Sequence, residues 1–127
     1  MAVDAASGSR SQRMLVEAYN CRGAAWGDKG DLDKAIENFS QAIEINPKHF
    51  FAHCNRGKSW HCKEELDRAI SDYTQAIEIR PNEAEIYLAR GWIWKALDKP
   101  EKAAADFAKV KELKDEMRAL KKASHED

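Results

Sequence analysis

The chain has 127 residues, of which 43% are hydrophobic and 34% are charged, a composition typical of one small globular domain. The 21 basic and 22 acidic residues nearly cancel to a formal charge of −1, so the basic excess needed to bind a nucleic-acid backbone is missing. Apolar runs stay far short of the ~18 residues that a membrane span requires. We therefore expect neither a nucleic-acid nor a membrane partner.

The first 13 residues, MAVDAASGSRSQR, are mostly small or polar and lack the apolar segment of a secretory signal. We predict a flexible leader over 1–13 and a cytoplasmic location. The 3 cysteines stand at irregular spacing, which does not indicate a disulfide framework and agrees with a reducing compartment.

From residue 16 onwards the sequence repeats itself with a period of 34 residues. The segments 22–47, 56–81 and 90–115 align without a gap, and the first two end at a proline. Small and aromatic residues recur at five matching places in all three copies. These are Gly23, Gly57 and Gly91; Trp26, Trp60 and Trp94; Ala35, Ala69 and Ala103; Phe39, Tyr73 and Phe107; and Ala42, Ala76 and Val110. Such a period predicts stacked copies that share one hydrophobic core.

Each copy predicts two helices. In the first copy, apolar residues at helical spacing lead to Trp26, Asp31 supplies an N-cap after a turn, and a second amphipathic stripe ends at Pro47. The third copy starts its second helix at Pro100 and has Asp115 where the closing proline should stand. We therefore predict that the last helix continues to about residue 122. Its apolar side carries Val110, Leu113, Met117 and Leu120.

This order of small, aromatic, alanine, aromatic, alanine and proline resembles the tetratricopeptide repeat over residues 16–117. The resemblance implies an all-α, right-handed superhelical solenoid of three antiparallel helix pairs, whose first helices line a concave groove. The predicted repeats are 16–49, 50–83 and 84–117, within a domain over 14–117 that is followed by a helical extension and tail over 118–127. The function implied is a non-enzymatic scaffold without a cofactor, which binds a peptide or a partner helix in the groove.

The resemblance places six candidate peptide-binding residues on the first helices: Phe51, Asn55, Lys58, Leu88, Trp92 and Lys95. Trp92 and Trp94 point in different directions, because two residues turn a helix through about 200°. Trp94 occupies the recurring tryptophan position and is predicted to lie in the core. Trp92 is then a binding anchor, a residue that packs under the extended C-terminal segment, or a tolerated surface residue.

Family members that bind the C-terminal carboxylate of a chaperone use two lysines, two asparagines and an arginine on their first helices. The corresponding places here are Asn20, Ala24, Asn55, Glu85 and Ala89. Only Asn55 agrees with the pattern, so we expect a partner other than a chaperone tail.

Two alternatives to a peptide scaffold stay open. The module could assemble with itself through its last helix, or the second copy could bind a metal or ligand through the His-Cys pairs at 53–54 and 61–62. These pairs are about 10–13 Å apart along a helix, too far for one ion, so no metal site is predicted. His53 stands where other copies have tyrosine, which favours packing. No nucleophile is paired with a base, and no catalytic residue is predicted.

Arginine precedes the recurring glycine in every copy, and two of these arginines have an aspartate at a matching place on the second helix. We predict ion pairs between Arg56 and Asp72 and between Arg90 and Asp106, in preference to an anion-binding row of arginines.

Overall fold

The computed structural model describes residues 9–125 as six α-helices, and no strand occurs in that range. They are α1 Arg10–Asp28, α2 Leu32–Ile45, α3 Phe50–Cys62, α4 Leu66–Ile79, α5 Ala84–Ala96 and α6 Pro100–His125. Turns of three or four residues join them, so consecutive helices pack as antiparallel neighbours. The predicted all-α architecture of three helix pairs with a long last helix is confirmed. None of the described helices is both long and apolar enough to cross a membrane.

The first helix begins earlier than the sequence pattern predicted. Ser9 forms a capping box with Gln12, in which the serine hydroxyl accepts the Gln12 N–H at 3.0 Å and the Gln12 side chain accepts the Ser9 N–H at 3.2 Å. Residues 10–13 are therefore helical, contrary to the predicted leader. The rest of that leader, 1–8, and the tail residues 126 and 127 lie outside the described part of the chain.

The recurring glycine allows the two helices of each pair to touch. A Cβ atom placed on Gly23 would lie 2.6 Å from the Phe39 ring, and one on Gly91 would lie 2.7 Å from the Phe107 ring. Both distances are shorter than carbon atoms tolerate, so the aromatic ring of the second helix rests directly on the backbone of the first. This contact explains why a small residue and an aromatic residue recur together.

The recurring tryptophans lie less deep than predicted. Trp26, Trp60 and Trp94 are only half-buried, and each indole is contacted by a basic side chain of the second helix. These pairs are Trp26 with Lys34 at 4.3 Å, Trp60 with Arg68 at 4.7 Å, and Trp94 with Lys102 at 4.5 Å. The fully buried large residue of α5 is Ile93 instead. Trp94 is therefore less buried than the prediction of a core position implied.

The predicted ion pairs are confirmed, and they also connect neighbouring repeats. Arg56 donates two hydrogen bonds to the Asp72 carboxylate, both at 2.8 Å, and a third to the Ser40 hydroxyl of the preceding repeat at 3.0 Å. The third repeat has the same arrangement in Arg90, Asp106 and Thr74. Each arginine therefore fixes two repeats relative to one another.

His53 takes the place of a tyrosine and keeps its main hydrogen bond. In the third repeat the Tyr87 hydroxyl donates to the Pro81 carbonyl at 2.8 Å, and in the second repeat the His53 Nε2 lies 2.8 Å from the Pro47 carbonyl. The other ring nitrogen of His53 is 3.1 Å from an oxygen of Asp72. Both nitrogens are thus occupied by structural contacts, and the predicted packing role is confirmed.

The last helix extends beyond the folded body. Val110 and Leu113 are buried against Tyr87, whereas Met117 is 57% exposed and Leu120 is 68% exposed. Only the first half of the predicted apolar stripe is covered by the described residues of the chain.

Candidate peptide-binding groove

The first helices of the three pairs are α1, α3 and α5. All six predicted binding residues lie on two of them, α3 and α5. The helices α1 and α3 touch directly, since the Asn55 amide donates to the Asn20 side chain at 3.1 Å. Asn55 is half-buried by this contact, and the other five predicted residues are exposed. A site on this surface is therefore accessible to a partner.

Trp92 is exposed and also packs on the last helix. Its side chain is 54% exposed, its indole meets the Phe107 ring edge-on at 5.2 Å, and the Lys95 ammonium lies 5.1 Å from the indole centre. Phe107 is half-buried, whereas the equivalent Phe39 and Tyr73 are buried. Trp92 thus partly covers a ring that no following repeat covers among the described residues.

Phe51 belongs to a separate aromatic cluster near the start of α3. Its ring is 52% exposed, contacts the Phe50 ring edge-on at 5.1 Å, and lies 4.9 Å from the Arg80 guanidinium. Arg80 also stacks on Phe50 at 4.5 Å. The sequence pattern gave no sign of Arg80, because its position depends on the loop between α4 and α5. Phe51 therefore makes its cation–π contact with Arg80, separately from the contact between Trp92 and Lys95.

A crevice of about 130 Å³ opens between the first two repeats. Asn55 and Lys58 line it from α3, together with Ser59, while Ala24 and Phe39 line it from the first repeat. The sequence pattern identified the two polar residues but missed the space between them.

Cys54 of the second repeat is a poor nucleophile. Burial, reinforced by the charge of Glu83, raises the pKa of the Cys54 thiol to about 12, so it stays protonated and weakly nucleophilic. The His49 ring is engaged with the Glu17 carboxylate at 2.9 Å. Within residues 9–125, no three His, Cys, Asp or Glu side chains are grouped so as to hold a metal ion.

The three helix pairs form a helical repeat module, and the first helix of each pair contributes to the accessible surface. Tetratricopeptide repeat models match residues 16–49 and 52–83. The chain belongs to the tetratricopeptide repeat family, and the third helix pair, α5 and α6, continues the same period.

The chain is also similar to known proteins. An uncharacterised protein of Methanocaldococcus jannaschii, MJ0572, is 52% identical over 31 residues, which cover 24% of this chain and 36% of that protein. The crystal structure of MamA superposes with a TM-score of 0.80 at 25% identity, over 82% of this chain and 61% of MamA. The chain thus spans less than two thirds of either relative.

A second solved structure shows the fold alone. The second repeat domain of Spaghetti (RPAP3), which was solved with the HSP90 peptide SRMEEVD, has a TM-score of 0.76 at 23% identity. The similarity covers 83% of this chain and 99% of that domain. The helical solenoid is therefore shared with a domain of almost the same extent.

Proposed function

We propose that the chain is a non-enzymatic scaffold that binds a peptide or a partner helix across α3 and α5. The observation that carries this proposal is the exposure of three large apolar side chains, Phe51, Leu88 and Trp92, on first helices that also carry Lys58 and Lys95. Exposed aromatic residues flanked by cations are typical of binding hot spots with a polar rim. Membership of a family of interaction modules supports the same use.

The proposed ligand differs from a chaperone tail. The RPAP3 domain binds an HSP90 peptide, but its likeness to this chain supports the fold and not the partner. The three places at which the clamp needs cations hold Asn20, Glu85 and Ala89 here. A terminal carboxylate at that end of the groove would meet a negative charge without the compensating lysine and arginine.

Replacing Trp92 by Ala tests the proposed groove. Peptides selected from a random library against the wild-type chain should bind the variant about 30-fold more weakly, a loss of ~2 kcal/mol that is typical of a hot-spot aromatic. The free energy of unfolding should fall by less than about 1 kcal/mol, because the indole is 54% exposed and its ring contacts are an edge contact with Phe107 and a cation–π contact with the exposed Lys95. Calorimetric titration and chemical denaturation measure the two quantities on the same samples.

Met117→Ala is the matched control, because it removes a comparably exposed apolar side chain from α6, outside the groove. It should leave peptide affinity unchanged. If Trp92→Ala instead lowers stability by several kcal/mol while peptide affinity survives, the indole belongs to packing and the groove lacks its anchor.

A second candidate function is self-association through the end of α6. The exposed Met117 and Leu120 continue the buried stripe of Val110 and Leu113, so a second copy of the chain could cover them. We propose that this contact produces dimers at high concentration. Truncation after Asp115 removes both exposed residues and keeps both buried ones. Light scattering should then show dimers for the full chain and monomers for the truncated one, and equal masses for the two would exclude this surface.

A further inference from the structure

The two interfaces between repeats differ at one central position. In the interface between the second and third repeats, Ile93 is fully buried and packs with Tyr73 and Ala69. The equivalent residue between the first and second repeats, 34 positions earlier, is Ser59, which lines the crevice. A space that a branched aliphatic side chain fills in one interface is therefore left open in the other.

Two further small residues widen the same space. Ala24 and Gly27 line the crevice on α1, where the following repeat has Lys58 and His61. Leu32 and Phe39 of α2 also line the crevice. The crevice volume of about 130 Å³ is close to the ~150 Å³ of an apolar cavity that admits benzene, so one branched aliphatic side chain has room. Filling such a space gains the contacts that its lining otherwise lacks.

The charges at the crevice favour a ligand that has an acidic residue next to the inserted side chain. Lys58 is exposed on the α3 side, and no ion pair or hydrogen bond engages its ammonium among residues 9–125. Asp28 lines the α1 side. A carboxylate next to the inserted side chain is thus attracted towards α3 and repelled from α1.

We propose that this crevice is a side-chain subsite for an extended peptide, which inserts Leu, Ile or Val and places the carboxylate of an adjacent Asp or Glu at Lys58. The proposal rests on the groove function proposed above and deepens it by naming the chemistry of the ligand. The subsite exists because Ser59, Ala24 and Gly27 are small, whereas the equivalent positions of the next interface hold Ile93, Lys58 and His61.

The probe is a series of end-blocked peptides, Ac-Ser-Gly-X-Glu-Gly-Ser-NH2, with Leu, Ala or Lys at X, titrated into the 15N-labelled chain by NMR. The Leu peptide should bind at least about 10-fold more tightly than the Ala peptide, as expected for burying an aliphatic side chain. Replacing Glu by Gln in the Leu peptide should weaken binding several-fold in the wild type and have no effect in Lys58→Ala. Equal binding of the Leu and Ala peptides, or no binding of either, overturns the subsite.

Ser59→Ile fills the crevice with the residue that the next interface already contains. The variant should bind the Leu peptide no better than the Ala peptide, and its unfolding midpoint should not fall. Ala25→Ile is the matched control, since Ala25 holds the equivalent position in the first repeat, is exposed and does not line the crevice. It should keep the preference for Leu. If Ser59→Ile does not fold, Ala24→Leu blocks the mouth from an exposed position and should abolish the same preference.

Peptides selected from the random library separate this proposal from the one on which it rests. Selected peptides that lose affinity in both Trp92→Ala and Ser59→Ile support the groove and the crevice together. Peptides that depend on Trp92 but bind Ser59→Ile as tightly as the wild type overturn the crevice alone. Failure to select any peptide overturns both.

Discussion

Replacing Asp72 by Asn should lower the free energy of unfolding by about 3 kcal/mol or more, one of the two largest losses expected in this chain. Asp72 is buried and accepts two hydrogen bonds from Arg56, while its Oδ1 also lies 3.1 Å from the His53 ring. The amide keeps the size of the side chain but leaves the arginine without its counter-charge. Urea denaturation at neutral pH measures the loss.

Asp106→Asn is the matched control, because Asp106 binds Arg90 in the same way but has Tyr87 rather than a histidine in its repeat. We expect a smaller loss there, since the Asp106 carboxylate has one hydrogen-bonding partner fewer than Asp72. Equal losses at the two positions would mean that His53 adds nothing to the network.

The Asp72 network also makes stability depend on pH. Burial acts to raise the pKa of Asp72, but hydrogen bonds from His53 and Arg56 together with their charges outweigh it and lower the pKa from its ordinary value of 3.8. The carboxylate therefore stabilises the fold above the pKa of the unfolded chain, and this contribution is lost as pH falls through the lowered value. Unfolding free energies measured from pH 7 to pH 2 should show a weaker acid loss in Asp72→Asn than in the wild type.

Replacing Ile93 by Ala should cost about 3 kcal/mol of stability, the second large effect. Ile93 is 0% exposed and packs between the second and third repeats with Tyr73, so its truncation leaves a cavity at an interface that both repeats share. Leu88→Ala on the same helix is the control, because Leu88 is exposed and its loss should be small. A loss below about 1 kcal/mol for Ile93→Ala would show that the interface collapses around the gap.

Most of the fold could be predicted from the 34-residue repeat period. Spacing of glycine and aromatic residues at 34 positions predicted the helix pairs, and matching charges predicted the pairs Arg56–Asp72 and Arg90–Asp106. The missing proline at Asp115 predicted the long last helix, which runs to His125. These features depend on local chemistry that recurs, which is why they can be recognised in sequence.

The depth of individual side chains could not be obtained in the same way. Trp60 recurs as regularly as any core residue, yet the bulk of its indole leaves it half-buried under Arg68. Helical spacing places Ile93 and Trp94 only about 100° apart, and the packing of the neighbouring repeat decides which of them is enclosed. The start of α1 could have been predicted from the sequence, since Ser9 and Gln12 have the spacing of a capping box.

The candidate site was predicted as a set of exposed positions, and the contacts among them came from the structure. Trp92 and Lys95 were both predicted as binding residues and they contact each other, whereas Phe51 contacts Arg80, which was not predicted. The crevice depends on the distance between two repeats as well as on Ser59, and that distance is not encoded in the spacing of one helix. Binding at the six predicted residues stays a prediction.

Mapping a bound peptide by NMR tests the central claim most directly. The 15N-labelled chain is titrated with a peptide selected from the random library, and shift changes are followed for backbone amides and for the four indole N–H groups. A groove-binding scaffold should show the largest changes at Asn55, Lys58 and the Trp92 indole, on α3 and α5. Changes confined to the outer faces of α2, α4 and α6, with these three positions unmoved, would contradict it.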